Sequence, residues 1–221
     1  MSPLTPIQTP YLRDQALVRL RDAIVSGVLP PAAPIVIDDL AAAFGLSSMP
    51  VREAVKRLVG EGLVEELPRR AHRVAPLTKR SALDVLEVMQ TLMVRAYELG
   101  VPALEEADVA EMRRRLEHAA AAAAAGDLIA ALAGIHAMHA VVYASTGNAD
   151  FGRALSTISP RFDRVLHLWY TDSIVQVGTS YRRDVVEALE RGRPEEAVEI
   201  MRSAWQRFRE VIAAREEDAE A

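Results

Sequence analysis

The chain has no cysteine in its 221 residues. That excludes disulfides, thiolate metal sites and cysteine nucleophiles, and it fits a reducing, cytoplasmic setting. Aromatic residues are scarce at 5%, while half of all residues are hydrophobic. The chain is therefore expected to bury a sizeable core that is chiefly aliphatic. No apolar run is read as approaching the ~18 residues of a membrane span. Met1 to Pro10 holds three prolines and lacks the basic-then-apolar pattern of a signal peptide, so residues 1–10 are expected to be a flexible tail. A glycine-rich phosphate loop and a GxSxG nucleophile turn are both missing, and no carboxylate pair stands beside the histidines of the C-terminal half. The chain thus reads as no enzyme.

Positive charge in excess is also lacking, since the net charge is −5. The two ends differ, however. Residues 1–77 carry nine Lys/Arg against eight Asp/Glu, whereas the remainder carries seventeen against twenty-three. What counts for a polyanionic partner is the local field, and the cations between Arg52 and Arg73 cluster in sequence.

Those cations fall in the most informative stretch, Ile37 to Pro76. Leu40, Ala41, Phe44 and Leu46 can form one side of a short helix and its turn. Val51, Ala54, Val55, Leu58 and Val59 then recur at the spacing of an amphipathic helix. Ser47 or Ser48 supplies a hydroxyl N-cap, and Pro50 falls in the first turn, where a missing N–H costs little. The opposite face presents Met49, Arg52 and Lys56, with Arg57 at its flank. Leu63–Leu67 and Arg73–Ala75 read as a hairpin with Pro68 to His72 at its tip. A helix from Tyr11 to Ser26 precedes this unit, with Leu12, Ala16, Leu17, Leu20, Ala23 and Ile24 inward, and Ile35 to Ile37 reads as a short strand. Together these define a winged helix-turn-helix over residues 11–77, a unit that binds double-stranded DNA. Its candidate contacts are Ser47, Ser48, Met49, Arg52, Lys56, Arg69, Arg70, His72 and Arg73.

From Thr78 onward the pattern is helical, giving a mainly α chain whose residues 78–221 form an antiparallel bundle. Helices are expected over about 79–99, from 105 or 108 to 125, and over 127–145, 151–170, 179–191 and 194–217. Thr78 is expected to cap the first of these. The seven alanines Ala119–Ala125 read as helix with a small-residue packing face, and Pro160 as a possible bend.

Gly27-x-Leu29-Pro30, Leu40-Ala41, Gly45-Leu46-Ser47, Pro50-Val51-Arg52-Glu53-Ala54, Arg57-Leu58 and Glu61-Gly62-Leu63-Val64 follow one another in an order that resembles the GntR superfamily of bacterial transcription factors. The bundle, through Thr146-Gly147-Asn148 after His139 and Ala188-Leu189 before Gly192 and Ala197, resembles its FadR type. That type has an all-helical effector domain, called FCD. The resemblance implies a transcriptional regulator, most often a repressor, that binds a short palindromic operator as a homodimer. Arg52 matches the family's base-contacting arginine. Ser48 replaces a usual arginine, Met49 a common threonine, and Ala71 the usual wing-tip glycine.

The resemblance also implies a divalent metal held by one Asp and three His. Here those positions fall on Ile135, His139, Arg182 and Ala204, so only His139 is retained and the site is expected to be missing, with no cofactor. His136 and His139 lie one helical turn apart and could approach a metal, but two imidazoles without a third ligand make a weak site. Arg182, or Arg161, is a candidate to hold the carboxylate of an organic-acid effector. Met89 and Met93 offer an adaptable apolar wall where the family often has polar residues. His136, His139, Tyr143 and Trp205 complete the candidate effector set, and Trp169 and Tyr170 could instead serve a dimer interface. Two other readings stay open: a DNA-binding dimer that senses no small molecule, and a histidine-based metalloenzyme.

Overall fold

The computed structural model describes residues 9–169 and 172–215, without the side chains of residues 9–11 and 170–178. Within them the chain forms two compact units that divide between Leu77 and Thr78. The expected tail overlaps α1 (Thr9–Val25), which takes in Pro10 within its first turn, where a missing N–H costs little. Residues 1–8, Tyr170 and the acidic stretch after Arg215 lie outside the described residues.

The first unit contains α1, β1 (Pro34–Ile35), α2 (Ile37–Phe44), α3 (Ser48–Gly60), β2 (Val64–Leu67) and β3 (Ala71–Val74). Its core joins Ala16, Leu17, Leu20 and Ile24 of α1 to Val51, Ala54, Val55 and Leu58 of α3, with Ile35, Leu63, Val64 and Val74 beneath. Leu12 was expected inward but is 43% exposed, because the α1 stripe only reaches the core at Ala16. Ile37 opens α2 rather than extending the strand. Gly45 ends α2 at φ 66°, a left-handed backbone that glycine adopts without a Cβ clash, and so sets the turn into α3. Arg21 of α1 grips Glu61, just past α3, through two hydrogen bonds of 2.7 and 3.0 Å. The three strands are antiparallel in the order β1-β3-β2. Leu67 pairs with Ala71, so the hairpin tip is only Pro68–Arg70 and His72 belongs to β3.

The second unit is helical throughout its described residues: α4 (Lys79–Gly100), α5 (Glu106–Ala124), α6 (Leu128–Ser145), α7 (Ala149–Leu168), α8 (Asp172–Glu190) and α9 (Pro194–Ala213), with a 3₁₀ turn at Val101–Ala103. Thr78 caps α4 in a reciprocal box with Ser81, at 3.0 and 3.1 Å. α8 begins seven residues before the expected Thr179, and α7 runs straight through the register of Pro160. In the alanine run, Ala119 alone is buried, where its Cβ would lie 2.8 Å from a Cβ on Gly134. The missing side chain of Gly134 is therefore what lets α5 and α6 approach. Gly100 does the same for α4 and α6, because a Cβ there would fall 2.3 Å from the Val142 carbonyl oxygen.

α6 departs from the expectation about apolar runs. Its 18 residues carry no Asp, Glu, Lys or Arg, and it is long and apolar enough to cross a membrane. His136 and His139 interrupt the run to the eye without adding formal charge. The helix instead packs against α4, α5 and α7 within the bundle.

Candidate functional site

Burial of Val51, Ala54, Val55 and Leu58 fixes the rotation of α3 and turns Met49, Arg52 and Lys56 outward along one stripe. Arg52 is exposed and makes no ion pair among the described residues. Lys56 is held by Glu53 at 2.8 Å, an exposed pair worth little in energy. Ser47 is the N-cap residue of α3, but its hydroxyl makes no capping bond. Nor does Ser48 cap: its Oγ donates to Asp38 Oδ1 at 2.6 Å and ties the start of α3 to the first turn of α2. The hydroxyl expected as an N-cap is thus spent on a link between helices.

Arg69 and Arg70 are exposed at the wing tip and unpaired among the described residues, whereas Arg73 is bridged to Glu65 at 2.9 Å. His72 is half-buried in β3, opposite Glu66 and Ile35. The wing tip holds a surprise in its backbone. Ala71, where the family's glycine would stand, is extended at φ −75°, so its Cβ costs nothing. The left-handed residues are Arg69 (φ 64°) and Arg70 (φ 60°), each at a cost of about 1–2 kcal/mol. Two strained, unpaired arginines projecting from a short hairpin are suited to contacting phosphate oxygens.

In the bundle, the expected effector residues divide into two groups. His139 is buried between two phenols. The Tyr97 hydroxyl lies 2.7 Å from Nδ1 and the Tyr181 hydroxyl 3.3 Å from Nε2. The Tyr143 ring lies nearly parallel to the imidazole at 6.4 Å, and its hydroxyl meets the Met93 sulfur. Burial first, then the charges of Arg182 and His136, hold His139 well below the ordinary histidine value, so it is neutral. Burial and neighbouring phenols raise Tyr97 and Tyr143 well above the usual tyrosine value. His136 points another way. Its Nε2 meets Asp163 Oδ2 at 2.7 Å. Burial disfavours its charge, but the attraction and hydrogen bond of Asp163 outweigh that and raise its pKa. Arg182 is half-buried, with its guanidinium carbon 4.9 Å from the centre of the Tyr181 ring.

Arg182, His136, His139, Met93 and Tyr143 therefore belong to one neighbourhood. Trp205 stands one ring further off, in an aromatic cluster with Phe162 and Phe208 that meets the first group where Phe208 packs edge-on against Tyr181 at 6.0 Å, and its Nε1 lies 3.0 Å from the Met201 sulfur. Met89 is buried in the α4 stripe, and Arg161 is half-buried. Trp169 is buried within its own unit beneath Arg215, whose guanidinium carbon lies 4.8 Å from the ring centre. A cleft of about 500 Å³ between α5 and α6, lined by Glu111, Arg115, Ala137 and Ala140 among others, includes none of the effector candidates.

Tyr97, Tyr181 and Asp163 were not singled out in the sequence. Tyr97 follows Met93 by four residues, which puts it on the same face of α4, and that spacing could have found it. Asp163 pairs with a residue 27 positions away and has no local signal.

This neighbourhood does not fit a divalent metal. Ile135 and Ala204 offer no donor, Arg182 is a cation, and both ring nitrogens of His139 face tyrosine hydroxyls. Among the described residues, no group of three or more His, Cys, Asp or Glu side chains is placed to hold a metal ion.

A three-helix head with a β wing, followed by a helical bundle, is the architecture of a DNA-binding transcription regulator. Residues 12–74 match the family of bacterial regulatory proteins called gntR, and residues 84–207 match the FCD domain. The chain belongs to the GntR family of regulators and carries an FCD domain. It is 32% identical over 109 residues to the HTH-type transcriptional regulator McbR of Escherichia coli, spanning 49% of each chain. It is 28% identical over 181 residues to the probable D-xylose utilization operon transcriptional repressor of Paenarthrobacter nicotinovorans, spanning 80% of each. Among solved structures, E. coli McbR/YncC superposes with a TM-score of 0.75 at 22% identity, covering 91% of this chain and 97% of that one. A GntR regulator from Rhodococcus sp. RHA1 also reaches 0.75, at 19% identity, covering 92% and 99%. These two likenesses carry the fold.

Proposed function

We propose that this regulator is a cytoplasmic repressor that binds a short palindromic operator as a homodimer and responds to a small organic acid. The observation that carries the DNA side of this reading is the outward stripe Met49–Arg52–Lys56, set opposite the buried face of α3. Arg52 reads guanine, because its planar fork matches the O6 and N7 acceptors of that base. Arg69 and Arg70 position the wing on phosphates and contribute the salt-dependent, sequence-independent share of affinity. Two-fold symmetry of the dimer accounts for the palindrome.

The bundle senses without metal. Its acid effector is held by Arg182, with the His136–Asp163 pair nearby and Met93 and Tyr143 forming the apolar wall. The histidines recognise and position rather than catalyse. The effector changes DNA affinity to the extent that it binds one conformational state better than another. Support for this part comes from the charged and polar groups gathered in one neighbourhood of the bundle.

The decisive test is selection of bound duplexes from random oligonucleotides, followed by binding with Arg52→Ala. Loss of a bidentate base contact costs about 1–3 kcal/mol, or roughly 5- to 150-fold, for each half-site of the operator, with affinity for random duplex nearly unchanged. Equal operator affinity in the variant would sink the assignment of Arg52.

A further inference from the structure

Met49 is 67% exposed, a large apolar side chain at the start of a helix whose neighbours are already engaged. Ser48 is committed to Asp38, and Glu53 and Lys56 to each other. Among the described residues, the outward side chains left without an ion pair or side-chain hydrogen bond at this end are the Arg52 cation, the Met49 thioether and the exposed Ser47 hydroxyl just before the helix. Recognition-helix residues near the N-terminus are those that reach base edges. A thioether on a flexible stem is a poor partner for the donors and acceptors of the major groove. It is a good partner for the one apolar group displayed there, the C5-methyl of thymine.

We infer that Met49 is a specificity-determining residue that reads the 5-methyl group of a thymine, one or two base steps from the guanine read by Arg52. The spacing follows from the helix. Three residues advance α3 by about 4.5 Å along its axis, compared with about 3.4 Å per base step. Ser48 matters here by what it no longer does. With its hydroxyl proton given to Asp38, Ser48 has no free donor to offer a base edge, and Met49 is the outward apolar group beside Arg52 and the Ser47 hydroxyl at this end of α3.

This inference rests on the reading of α3 as a DNA-recognition helix, and its test separates the two. The full-length protein is used to select an operator, and each thymine of a half-site is then replaced by deoxyuridine. That change removes the methyl group and preserves base pairing. At one position the wild type loses about fourfold in affinity, the effect of one buried methyl. Met49→Ala, which loses the contact in both half-sites, binds the thymine operator about as weakly as the wild type binds an operator with deoxyuridine at that position of both half-sites, a loss of about 15-fold, and it is indifferent to the replacement. Its affinity for random duplex, which also checks that the exposed-site variant has folded, stays at the wild-type level. Sequence-specific binding in which no deoxyuridine matters, or a variant that keeps the wild-type methyl sensitivity, overturns the role of Met49 alone. A wild type that selects no sequence overturns the recognition helix as well.

Discussion

Acid should destabilise the bundle through one side chain, His139. In the fold its imidazole is neutral, with a phenol hydroxyl at each nitrogen and the charges of Arg182 and His136 nearby. In the unfolded chain the same ring takes up a proton below its ordinary pKa of about 6.5. Unfolding therefore binds a proton in this range, and stability falls as pH drops below about 6.5, at up to about 1.4 kcal/mol per pH unit. Between pH 7.5 and 5 the loss is at most about 2 kcal/mol, the value for a ring that stays neutral throughout. His136 has the opposite sign: its raised pKa adds stability that is full below about 6.5 and lost as pH rises through the folded value. The wild-type curve mixes both, so the readout is a difference. His139→Gln keeps a neutral donor and acceptor between Tyr97 and Tyr181 but cannot be protonated. Whatever constant cost it brings, its stability relative to wild type should improve as pH falls from 7.5 to 5, by up to about 2 kcal/mol. Urea titration followed by tryptophan fluorescence reports it, because the chain's two tryptophans, Trp169 and Trp205, are both buried in this unit. Parallel curves for wild type and variant across that range would refute a neutral, phenol-bonded His139.

The remaining predictions concern packing and ligand. Gly100→Ala places a Cβ 2.3 Å from the Val142 carbonyl oxygen and 2.9 Å from Ser145 Oγ, and a helix backbone cannot retreat as a side-chain tip can. Because the clash is with backbone, overpacking is set at the top of the usual range, about 3 kcal/mol, and less about 1 kcal/mol gained in helix propensity the expected loss is about 2 kcal/mol. An unchanged urea midpoint would show that α4 and α6 do not meet there. With a panel of small carboxylic acids, the effector should raise the melting temperature of the wild type. At a hundred times its Kd the stabilisation is about 2.7 kcal/mol. Arg182→Met should lose most of that shift; an equal shift in the variant would place the acid elsewhere.

The helix-turn-helix was legible because its signals are local. Val51, Ala54, Val55 and Leu58 declare a buried helical face at fixed spacing, and Gly45 and Gly62 mark where chain direction changes. What those signals leave open is the state of each surface group. Ser48 looks like a cap and is a tether to Asp38; Ala71 looks like the strained wing residue, whereas Arg69 and Arg70 are. The bundle was legible as helices, less so as a site. His136 and His139 stand together in sequence yet face different partners, one a carboxylate and the other two phenols. α6 is passed over as an apolar run in the sequence because its two histidines resemble interruptions, although they carry no fixed charge.

The sequence by itself determined the class of fold, the rotation of α3 and hence the identity of its outward residues. Each depends on residue type and short-range periodicity, which a linear string contains in full. Only the tertiary structure decided that the retained His139 is enclosed by Tyr97 and Tyr181, that His136 is held by Asp163, and that Ser48 is removed from the outward face. These depend on contacts between residues 10 to 42 positions apart, whose geometry is set by how helices pack.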